Sequence, residues 1–214
     1  SLDANQSGSN NVAFGINSLS SNTTASDNTA IGAGAMDGNT TGSQNTAVGR
    51  GSLDVNTTGS NNNAVGHNCL DANTTGGYNN AVGQNALGAN TEGNYNVAMG
   101  QDALANNTTA SNNVGIGRSA LVANTTGYQN TAVGALALDA NTEGFENTAV
   151  GYNCLSDVTT GDHNTAIGHD ALENVSTGSY NNALGRDAGR NITTGSSNIC
   201  IGQNAADADN HIGV

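Results

Sequence analysis

A segment of 17 residues recurs twelve times between residues 11 and 214, with no insertion and no deletion. Its first position is asparagine in every copy, from Asn11 to Asn198, and its fifth is glycine in every copy, from Gly15 to Gly202. A repeat of constant length is typical of a solenoid, because stacked coils share one core and lose their register when one coil changes length. The repeat therefore predicts one elongated domain rather than a globular one.

The repeat reads Asn, variable, Ala, Val or Ile, Gly, two variable, Ala or Ser, Leu, two variable, Asn, Thr, Thr, Gly, two variable. Each copy has two apolar pairs, Ala-Val and Ala-Leu, separated by glycine and by an Asn-Thr-Thr-Gly turn. These segments are too short for helices, and they favour strands with tight corners. We predict an all-β fold, a parallel β-solenoid (β-roll) of twelve 17-residue coils, with a short strand at each apolar pair.

Neighbouring residues on a strand point to opposite faces, so an apolar pair predicts one inward and one outward side chain. One rank of each Ala-Val pair would fill the coil and the other would form an apolar stripe along the coils, and we expect positions 8 and 9 to repeat this pattern. Such a stripe favours a homo-oligomer with parallel axes. The alternative is that one residue of each pair lies at a corner and is partly exposed.

The invariant positions predict a structural ladder, in which the same side chain stacks on successive coils. Representative members are Asn28, Asn45, Asn62, Gly32, Gly49 and Gly66. A second asparagine, at position 12, gives way to Val158, Val175 and Ile192, so an apolar group can replace it. Residues 1–10 match the last ten positions of a copy and predict a partial coil cut from a longer fibre. Residues 209–212 replace the usual turn, so the last coil of the solenoid 11–214 is degenerate.

Charge and composition exclude several functions. The net charge of −13 opposes contact with phosphate backbones, so we expect no nucleic-acid partner. No apolar stretch approaches the roughly 20 residues that span a bilayer, so we expect no membrane insertion. We expect Cys69, Cys154 and Cys200 to be buried thiols that replace small residues.

Four histidines stand at variable or degenerate positions, without a constant acid or nucleophile. These are His67, His163, His169 and His211. We expect them to be surface residues and the protein to have no catalytic residue, no cofactor and no metal. Five aspartates recur singly at position 10, which predicts solvated acids rather than calcium ligands. They are Asp37, Asp54, Asp71, Asp139 and Asp207.

Threonines occupy positions 13 and 14 in most copies. The rank at position 14 includes Thr41, Thr58, Thr75, Thr109, Thr126 and Thr160. Two interpretations are open: the threonines cap the turn through local hydrogen bonds, or they form a regular face that orders water or contacts a ligand. The aromatic residues Tyr78, Tyr95 and Tyr128 stand at the last two positions, where they predict either packing along the turn edge or stacking on a glycan.

The string Asn-Thr-Ala-Val-Gly-x-x-Ala-Leu, at residues 45–53 and 147–155, resembles the head repeats of trimeric autotransporter adhesins. Those heads carry Asn-Ser-Val-Ala-Ile-Gly units and fold as left-handed parallel β-rolls in homotrimers. Residues 45–61 and 62–78 also resemble Asn-Thr-Thr-Gly-rich repeats that precede intramolecular chaperone domains in phage tail-fibre proteins. The period of 17 is longer than that of adhesin heads.

This resemblance implies a parallel homotrimer that is extracellular, on a cell surface or on a virion. The expected function is a non-enzymatic structural or adhesive segment of a phage tail fibre or bacterial surface adhesin. It would be a rigid spacer or a receptor-contacting shaft, with a cell-surface glycan or receptor as partner. The alternative is an ice-binding (antifreeze) β-solenoid that uses the ranked threonines, with ice as its partner.

Overall fold

The computed structural model describes residues 1–205 and the backbone of residues 212–213. These residues form strands, turns and bends and contain no helix, which confirms the predicted all-β class. The strands follow one another in chain order, and all but the last have three residues. They are β1 (Val12–Phe14), β2 (Thr29–Ile31), β3 (Thr46–Val48), β4 (Asn63–Val65), β5 (Asn80–Val82), β6 (Val97–Met99), β7 (Val114–Ile116), β8 (Thr131–Val133), β9 (Thr148–Val150), β10 (Thr165–Ile167), β11 (Asn182–Leu184), β12 (Ile199–Ile201) and β13 (Ile212–Gly213).

The chain divides into two compact units, Ser1–Ser111 with strands β1–β6 and Asn112–Val214 with strands β7–β13. Within each unit, consecutive strands pair in parallel at a spacing of one repeat. Ala30 pairs with Ala47 in the first unit and Ala149 with Ala166 in the second. Each unit is therefore a parallel β-solenoid with 17-residue coils, as the sequence predicts.

The last pairing departs from this register. Ile212 of β13 pairs with Ile199 of β12, an offset of 13 residues instead of 17. Strand β13 therefore follows β12 after fewer residues than one repeat. Residues 206–211, which include Asp207 and His211, lie outside the described residues.

The core of each coil is built from small and medium side chains. The middle residue of each strand points inward, and so do the residues at positions 8 and 9. The residues at position 9 that are fully buried are Leu19, Met36, Leu53, Leu70, Leu87, Leu104, Leu121, Leu138, Leu155 and Leu172. One medium apolar side chain per coil, surrounded by alanines, thus replaces the aromatic residues that a globular core would use.

The expectation of a second strand and a second outward stripe at positions 8 and 9 is wrong. This segment is a turn, and both members of the pair are buried, as for Ser52 and Leu53. Leu53 has a φ of 51°, in the left-handed region, so the alternation of faces along a strand does not apply. The conformation costs about 1–2 kcal/mol for a residue with a Cβ, and burial of a leucine side chain contributes about 1.5–3 kcal/mol. Packing therefore offsets the strain.

The asparagine at position 1 closes its own coil and joins it to the preceding one. The backbone N–H of Asn45 donates to Oδ1 of Asn28 at 2.9 Å, and Nδ2 of Asn45 donates to the carbonyl of Gly59 at 2.9 Å. The same two bonds recur at Asn62, which is also fully buried. Aspartate would lack the Nδ2 donor, so this double role explains why asparagine is constant here.

The asparagine at position 12 forms a second ladder, in this case from amide to amide. Nδ2 of Asn73 donates to Oδ1 of Asn56 at 2.8 Å and to the carbonyl of Gly76 at 3.0 Å. The ladder ends where Val158 takes the next place, and Oδ1 of Asn141 is left buried without a hydrogen-bond donor. A buried unpaired acceptor costs about 1–3 kcal/mol, so the change from asparagine to valine has an energetic cost at its boundary.

Glycine at position 5 lies where successive coils approach most closely. Gly32, Gly49 and Gly66 have φ values of 136°, 136° and 147°. A Cβ on Gly49 would lie 2.2 Å from the carbonyl oxygen of Gly66 in the next coil. Both the conformation and the space therefore require glycine.

Candidate functional site

The outer face of the sheet carries a row of exposed apolar residues in each unit. The residues at positions 2 and 4, on either side of the buried middle residue of each strand, point outward, and we call this surface the outer sheet face. In the first unit Val65 is 40% exposed, Val82 41% and Met99 45%. In the second unit Leu184 is 51% exposed and Ile201 45%. The predicted outward apolar stripe is therefore confirmed, and the structure places it at position 4, whereas the corner arrangement is not what the strands adopt.

An apolar groove of 220 Å³ lies on this face in the second unit. Ile167, Leu184, Ile199 and Ile201 line it, with Thr165 at one side. These residues come from β10, β11 and β12, which pair in register. The groove is thus a local depression in a continuous apolar surface rather than an enclosed pocket for a small molecule.

The two threonine ranks differ in direction. At position 13 the side chains are half-buried, and their hydroxyls bond to the backbone of the next coil: Oγ1 of Thr40 donates to the carbonyl of Thr57 at 2.9 Å. At position 14 the side chains are exposed. These exposed residues include Thr41, Thr58, Thr75, Thr109, Thr126 and Thr160. The turn therefore presents one outward threonine rank, and the other rank stabilises the stack.

The aromatic residues form short columns along the turn edge. The rings of Tyr78 and Tyr95 stack with centroids 4.9 Å apart and planes at 11°, and both side chains are exposed. In the second unit Tyr128 stacks on Phe145 at 4.9 Å, and His163 stacks on Tyr180 at 4.8 Å. A stacked ring turns one face to its neighbour, which leaves its edge and its hydroxyl for a ligand. Glycan contact by Tyr78, Tyr95 and Tyr128 stays a prediction.

The aspartates at position 10 are not fully solvated, contrary to expectation. Asp37, Asp54 and Asp71 follow one another on three coils of the first unit and are half-buried. Burial raises the pKa of Asp54 above its usual value, and the charge of Asp37 raises it further. Burial also raises the pKa of Asp71, although backbone hydrogen bonds partly lower it. In the second unit, burial raises the pKa of Asp139.

A charged cluster in the second unit was not predicted, because its members stand at variable positions. His169, Asp170 and Asp187 place one candidate metal-ligand atom each within 4.8 Å of one another. Arg186 pairs with Asp187 at 2.9 Å, and Arg190 lies 3.5 Å from Asp170. Two guanidinium groups therefore already neutralise both buried carboxylates. The geometry favours an ion-pair network over a cation site.

The remaining histidines and the cysteines take different environments. His67 is exposed, whereas His163 is half-buried in its ring column and lies 3.2 Å from Glu146. Cys69, Cys154 and Cys200 are free and buried, as expected. Burial raises the pKa of Cys69 and of Cys154 to about 12, so neither thiol is a reactive thiolate near neutral pH.

Comparison with protein-family models, with curated proteins and with solved structures finds no match. Among the described residues there is no helix of the length and apolar character needed to cross a bilayer. The chain is therefore characterised by its architecture: a parallel β-solenoid of 17-residue coils with an exposed apolar sheet face.

Proposed function

We propose that the chain is a non-enzymatic segment of a fibre and that it self-associates in parallel through the outer sheet face. The observation that carries this proposal is the row of exposed apolar residues at position 4, including Val65, Val82 and Leu184. Soluble monomers rarely expose large contiguous apolar patches, so such a surface is typical of an interface. The resemblance to adhesin heads and tail fibres favours three chains and a place on a cell surface or a virion.

The partner that best fits this face is a second copy of the chain. The outward side chains recur once per coil, at the strand spacing of about 4.8 Å. A partner that contacts every coil in the same way must have the same axial repeat, which another solenoid supplies. Each coil is also bonded to its neighbours through backbone and asparagine hydrogen bonds, and this bonding supports a stiff spacer or receptor-contacting shaft.

Sedimentation equilibrium tests the self-association. We expect the wild-type chain of 21.2 kDa to sediment as a trimer, and the double variant Val65→Asp, Val82→Asp to sediment as a monomer. The added carboxylates would be desolvated in the interface but remain in water in the monomer, so folding is retained. The control Thr58→Asp, Thr75→Asp adds the same charge at exposed turn positions and should leave the trimer intact. A wild-type monomer with a normal circular-dichroism spectrum would refute self-association.

Ice binding is the second candidate, because the exposed threonines at position 14 recur on most coils. It is less well supported, since the hydroxyls at position 13 bond to the backbone instead of forming a second outward rank on the turn. We expect round ice crystals and no thermal hysteresis at millimolar protein. Faceted crystals that are lost in the triple variant Thr58→Tyr, Thr75→Tyr, Thr126→Tyr would instead establish ice binding.

A further inference from the structure

A groove of 360 Å³ opens in the first unit beside repeat positions 6, 7 and 10. These positions lie in turns, whereas the outer sheet face is formed by positions 2 and 4 of the strands. The groove is therefore separate from the outer sheet face, and a ligand could bind in it whether or not the chain self-associates. Its volume is near the lower end of the range for small-molecule pockets, roughly 300–1,000 Å³.

The groove exists because two successive coils lack a side chain at position 7. Gly34 and Gly51 stand there, while the other copies carry asparagine, aspartate, serine or leucine. A Cβ on Gly34 would lie 3.7 Å from Oδ1 of Asp54 and would meet no closer atom outside its chain neighbours. The open space above Gly34 thus borders directly on a carboxylate.

The polar lining combines acceptors with donors. Asp37 and Asp54 provide carboxylates, and Arg50 and His67 provide a guanidinium and an imidazole. The amides of Asn17 and Asn68 can both donate and accept. Among the described residues, the ion pairs involve side chains other than Asp54 and Arg50, so these two charged groups remain available to a ligand, whereas Oδ1 of Asp37 already accepts a hydrogen bond from the hydroxyl of Ser20.

We propose that this groove binds a neutral polyhydroxylated ligand, such as a sugar ring or a polyol. A hydroxyl group can donate to Asp54 and accept from Arg50, so a neutral ligand with several hydroxyl groups can pair with both charged groups at once. Ile16 and Ala33 add apolar contact for the C–H groups of such a ligand. Hydrogen bonds to charged groups are stronger than those between neutral groups, but association also costs translational and rotational freedom, so we expect weak binding in the millimolar range.

Gly34→Asn is the decisive variant, because it fills the groove without requiring a new backbone conformation. Asparagine occupies the same repeat position at Asn17, Asn68 and Asn85, with φ values of 57°, 50° and 55°, close to the 70° of Gly34. Ser119→Asn is the matched control, since Ser119 has a φ of 58° at position 7 of the second unit, outside the groove. Asp54→Asn removes the carboxylate with little change of volume.

Saturation-transfer NMR against glucose, galactose, mannose, N-acetylglucosamine and sorbitol provides the test. We expect at least one of these probes to bind the wild-type chain with a Kd in the millimolar range. Binding should weaken at least about tenfold in Gly34→Asn and about tenfold or more in Asp54→Asn, and it should be unchanged in Ser119→Asn. All variants should retain the wild-type circular-dichroism spectrum.

Three results would overturn the assignment. One is the absence of saturation transfer to every probe in the panel. Another is equal binding by wild type and Gly34→Asn, which would place the contact elsewhere. The third is binding of glucosamine or ethanolamine without binding of the neutral compounds, which would show that the groove recognises an ammonium group. None of these results bears on the oligomeric state, so the fibre proposal is tested independently.

Discussion

Replacement of Gly83 by alanine is expected to destabilise the first unit by roughly 3–5 kcal/mol. Gly83 stands at position 5 with a φ of 136°, a conformation that a residue with a Cβ rarely adopts. The added Cβ would also lie 2.5 Å from the carbonyl oxygen and 2.7 Å from the carbonyl carbon of Gly100 in the next coil. Because these are backbone atoms of a hydrogen-bonded stack, they cannot move away without disrupting the ladder.

Gly88→Ala is the matched control in the same coil. Gly88 lies outside the left-handed region, and a Cβ there would meet the carbonyl oxygen of Asn85 at 3.3 Å and Oδ1 of Asp71 at 3.4 Å. Alanine already occupies this repeat position one coil later, at Ala105. We expect the free energy of unfolding to change by no more than about 1 kcal/mol. One reason is that alanine has less conformational freedom than glycine in the unfolded chain, which partly offsets any cost in the folded state. Urea unfolding monitored by circular dichroism measures both variants, and equal midpoints would contradict the prediction.

The second large effect is expected at the buried amide ladder. Asn73→Val removes the donor to Oδ1 of Asn56 and also the acceptor for Nδ2 of Asn90, each at 2.8 Å. Oδ1 of Asn56 and one N–H of the Asn90 amide would then lack a partner, whereas Nδ2 of Asn90 keeps its bond to the carbonyl of Gly93 at 3.1 Å. At about 1–3 kcal/mol for each, the expected loss is roughly 2–5 kcal/mol. The carbonyl of Gly76 would keep its bond from Nδ2 of Asn62, so the closure of the coil is not lost as well.

The same substitution at the end of the ladder should cost far less. Asn141→Val removes the bond from Nδ2 of Asn141 to Oδ1 of Asn124, but it also removes Oδ1 of Asn141, which is already buried and unpaired. The lost bond is therefore offset by the loss of an unpaired oxygen, and the added apolar volume lies next to Val158. We expect the free energy of unfolding, measured by urea unfolding, to change by no more than about 1 kcal/mol. Similar losses for Asn73→Val and Asn141→Val would show that the amide ladder does not contribute as described.

The contrast between positions 5 and 15 shows how much the sequence reveals about a glycine. Both are glycine-rich, and a Cβ at Gly76, in position 15, would also come within 2.4 Å of a carbonyl oxygen in the next coil. Yet alanine stands at this position at Ala25 and Ala110, whereas position 5 is glycine in every copy. The difference is that position 15 does not require a left-handed φ. An alanine there needs only a small shift of the carbonyl oxygen in the next coil, and no change of its own backbone conformation. Because the chain contains twelve copies of the repeat, its sequence alone shows which glycine position accepts alanine and which does not.

Of the candidate surfaces, the sequence predicted some correctly and others not. The alternation of faces along a strand predicts that Ala64 and Val65 point to opposite faces, and the structure agrees, with Ala64 inward and Val65 outward. The same rule fails for Ser52 and Leu53, because that segment turns. The groove was missed as well. Its signal was present in the glycines at Gly34 and Gly51, but nothing in the sequence placed Asp54 beside the space that they leave.

The sequence by itself determined the length of the coil, the parallel register and the identity of the stacking ranks. These properties follow from the constant period of 17, because any residue must stack on its own copy when each coil has the same length. Only the tertiary structure decided that positions 8 and 9 form a turn and not a second strand. Leucine intrinsically disfavours the left-handed conformation, yet Leu53 adopts it, since burial against the neighbouring coils contributes more than the strain costs. That balance depends on non-local contacts, which local sequence preferences do not contain.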